Sequence, residues 1–322
     1  MSGSAKTGAR QYGKILMVGA ATMALAAIIA PALIAATAPP RERIVIQDKS
    51  VYPESITSAR DGRVWIAGYG TGVIYLAKPG AATAEPWITA KADGMDHTLG
   101  VVADERRGLL WACAYRDAAG TDEPRESAIR TFALATGKPG ATYPFEGGGG
   151  CNDMAIARDG TVYASDFPKG RVLRLTKGDT QFREWAISPD LTSADGIALA
   201  DGQVYINTYK TNLLFHIPVL ADGKAGKVEQ IMTDRPLVSP DGMRAAGPRT
   251  LLVAEGAGRL TELTIDGAKA TARTVSEVPD SPASLTLIGK TAFVVQAKWD
   301  AEKDPKARLD NFQAVAVPYP AK

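Results

Sequence analysis

Histidine and cysteine are scarce, with two of each in 322 residues. The cysteines have no histidine company, so they make no zinc site of the usual Cys/His kind. Charge imbalance is slight as well: 37 Lys and Arg face 35 Asp and Glu. Three of those cations, Lys6, Arg10 and Lys14, lie at the N-terminus, and without them 34 basic residues face 35 acidic ones. No basic stripe with interleaved aromatics occurs, so the chain lacks the electrostatic footprint of a nucleic-acid binder. It also lacks a Gly-x-Ser-x-Gly elbow and a phosphate loop ending in Gly-Lys-Ser/Thr, the marks of serine hydrolases and nucleotide binders. Apolar residues make up 45%, ample for a core.

One long uncharged apolar run is present, residues 15–38, Ala-rich and preceded by the three cations. Such a segment is an export signal in broad terms. Small residues at Ala36 and Ala38 suit cleavage, whereas the length suits a retained membrane-anchoring helix. Both readings stay open, and both place the rest of the chain outside the cytoplasm, in the periplasm or beyond. The expected organisation is residues 1–38 as signal or anchor and 39–322 as one domain.

That domain repeats. A short strand of small residues is followed ten or so residues later by a strand opening on an aromatic or large apolar residue, six times over. Anchors just before the first strands are Ser55, Gly100, Asp153, Asp195, Asp241 and Ala283, spaced 42 to 53 residues apart. Trp65, Tyr163, Tyr205 and Phe293 follow their anchors by ten residues, and Trp111 and Leu251/Leu252 fit with at most one insertion. Asp61-Gly62, Asp159-Gly160 and Asp201-Gly202 supply tight hairpin turns between the two strands. A period of about 40–50 residues built from short strands is the signature of propeller blades. The expectation is an all-β, six-bladed propeller of four-stranded antiparallel blades. The segment Arg43-Ile44-Val45-Ile46-Gln47 should pair with Ala314-Val315-Ala316-Val317 and close the ring, which removes two exposed sheet edges.

Four of the repeat heads carry oxygen-bearing side chains: Pro53-Glu54-Ser55, Cys151-Asn152-Asp153, Ala194-Asp195-Gly196 and Pro240-Asp241-Gly242. In a propeller the innermost strands run along the central tunnel, so residues at their starts converge on one mouth. Glu54 and Asn152 share one column of the repeat, Asp195 and Asp241 the next. Three carboxylates brought together repel unless a cation relieves them. An all-oxygen set selects a hard ion, calcium first, with magnesium, manganese and zinc as alternatives. Leu99-Gly100 and Ala283 hold no ligand at the corresponding places.

These strings, with Ser239-Pro240-Asp241-Gly242-Met243 and Ala194-Asp195-Gly196-Ile197-Ala198, resemble the senescence marker protein/gluconolactonase family, to which luciferin-regenerating enzyme is similar. Related tunnels occur in paraoxonases and diisopropylfluorophosphatase-like phosphotriesterases. The resemblance implies a six-bladed propeller with an axial divalent metal held by Glu54, Asn152, Asp195 and Asp241. It further implies hydrolysis of a small lactone, with Asp241 as the base and Asp153 the second choice. His97, near the mouth in the second unit, is a paraoxonase-like candidate for proton acceptor. One departure matters: the family usually has asparagine where this chain has Asp195. The added charge should tighten the metal and weaken its Lewis acidity.

Two other readings keep the same site. One is an organophosphate or aryl-ester hydrolase; the other is a non-enzymatic periplasmic propeller, pinned by structural calcium, that binds a ligand or partner. A monomer is expected. Pocket walls should come from variable loops such as 115–129 and 299–311. Cys113 and Cys151 fall on adjacent units near the same face, as a disulfide or as a buried small side chain and a free thiol. Trp65, Trp111, Tyr163 and Tyr205 read as core, and His216 as a hydrogen-bonded packing residue.

Overall fold

The computed structural model describes residues 41–89, 91–117, 126–145, 147–302, 304 and 310–319. The apolar run 15–38 and the boundary after residue 38 lie outside the described residues. Among the described residues no helix is long and apolar enough to cross a membrane.

The first repeat unit shows how sequence becomes sheet. Pro53–Ser58, Val64–Gly68, Ile74–Ala77 and Glu85–Ile88 form a four-stranded antiparallel meander. Its first two strands are buried on both faces, which accounts for the mostly small residues of the first and the apolar Val-Trp-Ile-Ala-Gly run of the second. The Asp-Gly turns act as expected. Gly62 and Gly160 take φ of 89° and 94°, while the Asp61 and Asp159 carboxylates accept from the backbone N–H two residues on, at 3.0 and 2.9 Å. At Asp201-Gly202 both residues are left-handed, the requirement of a two-residue primed hairpin.

The inner strands of the six units are Pro53–Ser58, His97–Asp104, Cys151–Ile156, Ala194–Ala200, Pro240–Gly247 and Pro282–Ile288. Each packs against the next, and the sixth returns to the first, so they form a closed ring around an axis. Closure at the periphery is by Arg43–Ile46, antiparallel to Phe312–Pro318, with Arg43 opposite Val315 and Ile46 opposite Phe312. The last unit thus takes its outermost strand from the start of the domain.

The sheets differ in one respect from six separate blades. Four are four-stranded, and units four and five are joined into one eight-stranded sheet. The junction is a short parallel pairing of Met232 with Lys269 and Thr233 with Ala270. It forms because both outer strands present unpaired edge groups: Met232 N–H donates to Ala268 O (2.9 Å), and the Asp234 carboxylate accepts from Ala272 N–H (2.8 Å).

The core lies between blades, not on the axis. Six apolar clusters fill the six interfaces between neighbouring units. Trp65, Trp111, Tyr163 and Tyr205 are buried in them, as the repeat suggests. Each cluster buries side chains of two units, so no unit has a complete core alone.

Cys113 and Cys151 form a disulfide, with Cα atoms 5.3 Å apart, and no cysteine is free. The bridge joins the second strand of unit two to the inner strand of unit three, next to Asn152. Its chemistry closes 38 residues of chain, a constraint on the unfolded state worth about 2–4 kcal/mol. Replacing both cysteines by alanine should lower the unfolding free energy by about that amount. Chemical denaturation of the wild type with and without reductant should show the same difference.

Candidate functional site

Every inner strand breaks register with its neighbour near its start. The irregularities lie between Pro53 and Ser55, Thr98 and Val101, Cys151 and Met154, Ala194 and Ile197, Pro240 and Met243, and Pro282 and Ser284. A bulge re-aims the side chain at the break. The residue following the last pair before the break is Glu54, Leu99, Asn152, Asp195, Asp241 or Ala283. The four oxygen-bearing residues therefore occupy one column, not two adjacent ones. The break skips one residue in unit one and two in units three, four and five, so spacing along the chain does not report the shared column.

Glu54, Asn152, Asp195 and Asp241 are all buried, and all four line one cavity of about 440 Å³ at the end of the tunnel. Asn152 Nδ2 donates to Asp195 Oδ2 at 3.0 Å, and Asp241 Oδ1 accepts from Gly242 N–H at 2.9 Å. Glu54 Oε2, Asn152 Oδ1 and Asp195 Oδ1 are buried acceptors without a donor. Buried acceptors are ordinarily satisfied, so three orphans from three units around one space call for a positive partner.

Among the described residues, no group of three or more His, Cys, Asp or Glu is gathered in a form that could hold a metal ion, so a closed shell is not preassembled. The carboxylates are nonetheless near enough to raise one another's proton affinity. Burial and then Asp153 push Asp195 up to about 8. Burial, Asp195 and Asp153 raise Glu54, against the opposing pull of Arg244. Burial, Asp195 and Glu54 raise Asp241. The chemistry of this all-oxygen donor set, with its orphaned acceptors, is that of ligands for a hard cation.

Neighbouring groups fix the frame. Asn207, in the second strand of unit four, accepts from Gly196 N–H (3.1 Å) and donates through Nδ2 to the Asp241 carbonyl (2.6 Å). It thereby ties the heads of units four and five together. Gly196 must be glycine here, because a Cβ would run into the Asp241 carbonyl.

The two other candidates point elsewhere. Asp153 pairs with Arg244, Nη1 to Oδ2 at 2.6 Å and Nη2 to Oδ1 at 3.3 Å. The partners come from units three and five, which are not neighbours, so the pair spans the tunnel. Asp153 is thus neutralised rather than available as a base. His97 does not line the cavity. Its Nδ1 meets the Tyr69 carbonyl at 2.7 Å, its Nε2 meets Asp117 at 3.0 Å, and its ring packs on that of Tyr69. Nothing in that position supports a role as proton acceptor. His216 packs on Tyr205, as expected, but its buried Nε2 has no hydrogen bond.

The expected wall loops supply Tyr115, Trp299 and Glu302, whereas Tyr69, Phe167 and Tyr209 were not anticipated. Tyr69, Tyr115, Phe167 and Tyr209 line the cavity beside Leu99, with Trp299 from the short helix Trp299–Glu302. The signal was present: each lies four residues beyond a core aromatic, in the pairs Trp65/Tyr69, Trp111/Tyr115, Tyr163/Phe167 and Tyr205/Tyr209. Arg244 and Asn207 carried no periodic mark.

Removing Arg244 would strand the Asp153 charge. Arg244→Met should destabilise the fold by roughly 3 kcal/mol, and adding Asp153→Asn should recover most of it, read by chemical denaturation. The raised carboxylates give a pH dependence of defined sign. Asp195 ordinarily titrates at 3.8 but here near 8. Its contribution is therefore fully present below the lower value and lost as pH rises through the upper one. Chelator-treated protein should melt at progressively lower temperature from about pH 4 to about pH 8, and calcium should restore more at the high end. A flat melting profile would mean that the carboxylates do not sense one another.

No family model matches the chain, and no curated protein matches it in sequence. Solved structures do share its fold. A protein provisionally named a gluconolactonase is 16% identical with a TM-score of 0.63, over 86% of this chain and 92% of its own. Luciferin-regenerating enzyme is 14% identical with a TM-score of 0.63, over 84% and 91%. An aldose sugar dehydrogenase from Streptomyces coelicolor, in a PQQ-bound form, is 14% identical with a TM-score of 0.59, over 87% and 99%. At such identities the likeness is one of fold, and the named chemistries differ. Two of the three bear names from the group that the motifs resemble, so this chain has the fold of a gluconolactonase-like propeller.

Proposed function

We propose that this propeller is a metal-assisted hydrolase of cyclic esters, its six repeat units serving as six blades around one axial site. The observation that carries the reading is the single column of Glu54, Asn152, Asp195 and Asp241, three of them with a buried oxygen that lacks a donor. These four residues would hold the ion, calcium by the hardness of their oxygens. Likeness of fold to proteins named for gluconolactone and luciferin chemistry agrees with this reading without selecting it. A bound divalent cation supplies Lewis acidity, polarising the ester carbonyl and stabilising charge on its oxygen.

The protein groups have separate tasks. Asp241 accepts the proton of the attacking water, whose oxygen bonds to the carbonyl carbon. The ring C–O bond then breaks, and the departing alkoxide takes the proton back, giving a hydroxy acid. Asp241 suits the task because Gly242 N–H fixes one oxygen while burial and neighbouring charges strengthen its hold on a proton. Asp153 is held by Arg244 and keeps that cation in the tunnel. The disulfide and the apolar N-terminal segment fit an oxidising compartment outside the cytoplasm.

Asp241→Asn should lower turnover on a lactone panel by about a hundredfold or more. Chelation should abolish turnover and calcium restore it. Unchanged hydrolysis in the variant would remove Asp241 from the chemistry. Calcium binding by calorimetry without chelator-sensitive hydrolysis would replace the enzyme with a calcium-pinned binding propeller.

A further inference from the structure

The cavity above the carboxylates is walled by a repeated device. In units one to four, the second-strand residue that follows the partner of the last inner-strand residue before the bulge is aromatic. Gly68 pairs with Pro53 and precedes Tyr69; Ala114 pairs with Thr98 and precedes Tyr115. Asp166 pairs with Cys151 and precedes Phe167; Thr208 pairs with Ala194 and precedes Tyr209. In units five and six the same position is Gly256 and Ala297, after Glu255 and Gln296. Four consecutive blades thus raise rings around the mouth, and two leave a gap. Trp299 stands on the sixth-unit side, edge-on to Tyr69 at 5.6 Å between centroids.

Polar capacity in this collar is small. Among the described residues, Glu302 is the one charged side chain beside the rings, the other polar lining residues, Glu54, Asn152, Asp195 and Asp241, form the floor, and no lysine, arginine, serine, threonine or glutamine lines the cavity. The Tyr115 hydroxyl is engaged by Ser127 and the Tyr209 hydroxyl by Ser239. A polyhydroxylated ring held between the aromatic walls would lose water at each hydroxyl and find Glu302 as the one charged acceptor above the floor, weakening binding by about tenfold for each hydroxyl left unmatched. A flat apolar ring would instead stack on, or pack edge-on against, the collar.

We infer that the substrate is an aromatic cyclic ester, bound with its ring in the collar and its carbonyl toward the carboxylates, rather than a sugar lactone. This rests on the hydrolase reading only for the word ester; the collar's preference for an aromatic ring can be measured without turnover. Phe167 and Trp299 are the specificity-determining residues, since neither offers a hydroxyl.

The test uses full-length, calcium-loaded protein and two uncharged six-membered lactams, one benzo-fused and one trihydroxylated, as unhydrolysed analogues. Calorimetry or tryptophan fluorescence gives their affinities, and the matching lactones give turnover. The benzo-fused lactam should bind at least about tenfold more tightly, and Phe167→Ala or Trp299→Ala should each reduce that ratio by about tenfold. Trp299→Phe should retain most of it. Circular dichroism of each variant checks that the fold is kept. Equal or tighter binding of the trihydroxylated lactam, binding of neither, or a ratio indifferent to both alanine variants would overturn the inference. Preference for the benzo-fused lactam without hydrolysis of either lactone would leave the collar's ligand class standing and remove the hydrolase. Tighter binding of benzyltrimethylammonium to chelated protein than of any lactam to loaded protein would assign the collar and its acidic floor to organic cations, and would also overturn the inference.

Discussion

Closure of the inner-strand ring sets the terms for everything else in this molecule. Each unit buries its apolar faces only against its neighbours, so the six clusters of core residues exist only when the ring is complete. Completion then leaves no choice about where the strand heads go. Six bulged starts meet at one mouth, and whatever side chains they carry are forced together, favourable or not. In this chain four of them carry oxygens, and the fold drives carboxylates into mutual repulsion as the cost of its hydrophobic closure. The strong packing of the ring is what lets that unfavourable cluster persist.

Around the cluster, the protein separates charges that need a partner from charges left open. Glu255 shows the first kind. Burial alone would raise it, but donors from Arg235, Arg259, Thr261 and the Val238 N–H outweigh that and hold it below its ordinary range. Asp166 pairs with Arg171 and accepts a hydrogen bond from the Gly150 N–H. The column at the mouth has no such surround. Asp153 alone of its neighbours receives a cation, Arg244, and that pair crosses the tunnel between units that do not otherwise adjoin. A partially compensated acidic site, beside fully compensated acids at the ends of second strands, distinguishes a binding place from structural polar packing.

Much of this was legible in the chain. The period, the core aromatics at Trp65, Trp111, Tyr163 and Tyr205, the Asp-Gly turns and the closing strand Arg43–Ile46 follow from local chemistry, which sequence displays directly. The four column residues were found for the same reason. Their common register was not, because it depends on which residues pair across each inner hairpin rather than on composition. Nor could sequence supply the Arg244–Asp153 pair, since its members lie 91 residues apart on units that share no interface. The fused edge at Met232 and Lys269 depended on where two outer strands end in space. The aromatic collar was hidden in plain view: its members sit one helix-like interval from core residues of the same strands, and a strand period of two places both on the same face only until the strand ends.

The bridge from Cys113 to Cys151 has a consequence for how the molecule matures. Cys151 immediately precedes Asn152, so the covalent staple between two blades also anchors the strand head that presents this amide. A newly made chain with both thiols still reduced would have the same ring but a less firmly moored third head. Assembly of the mouth is thus coupled to oxidation: a covalent step falls one residue from the place where a ligand would be gripped.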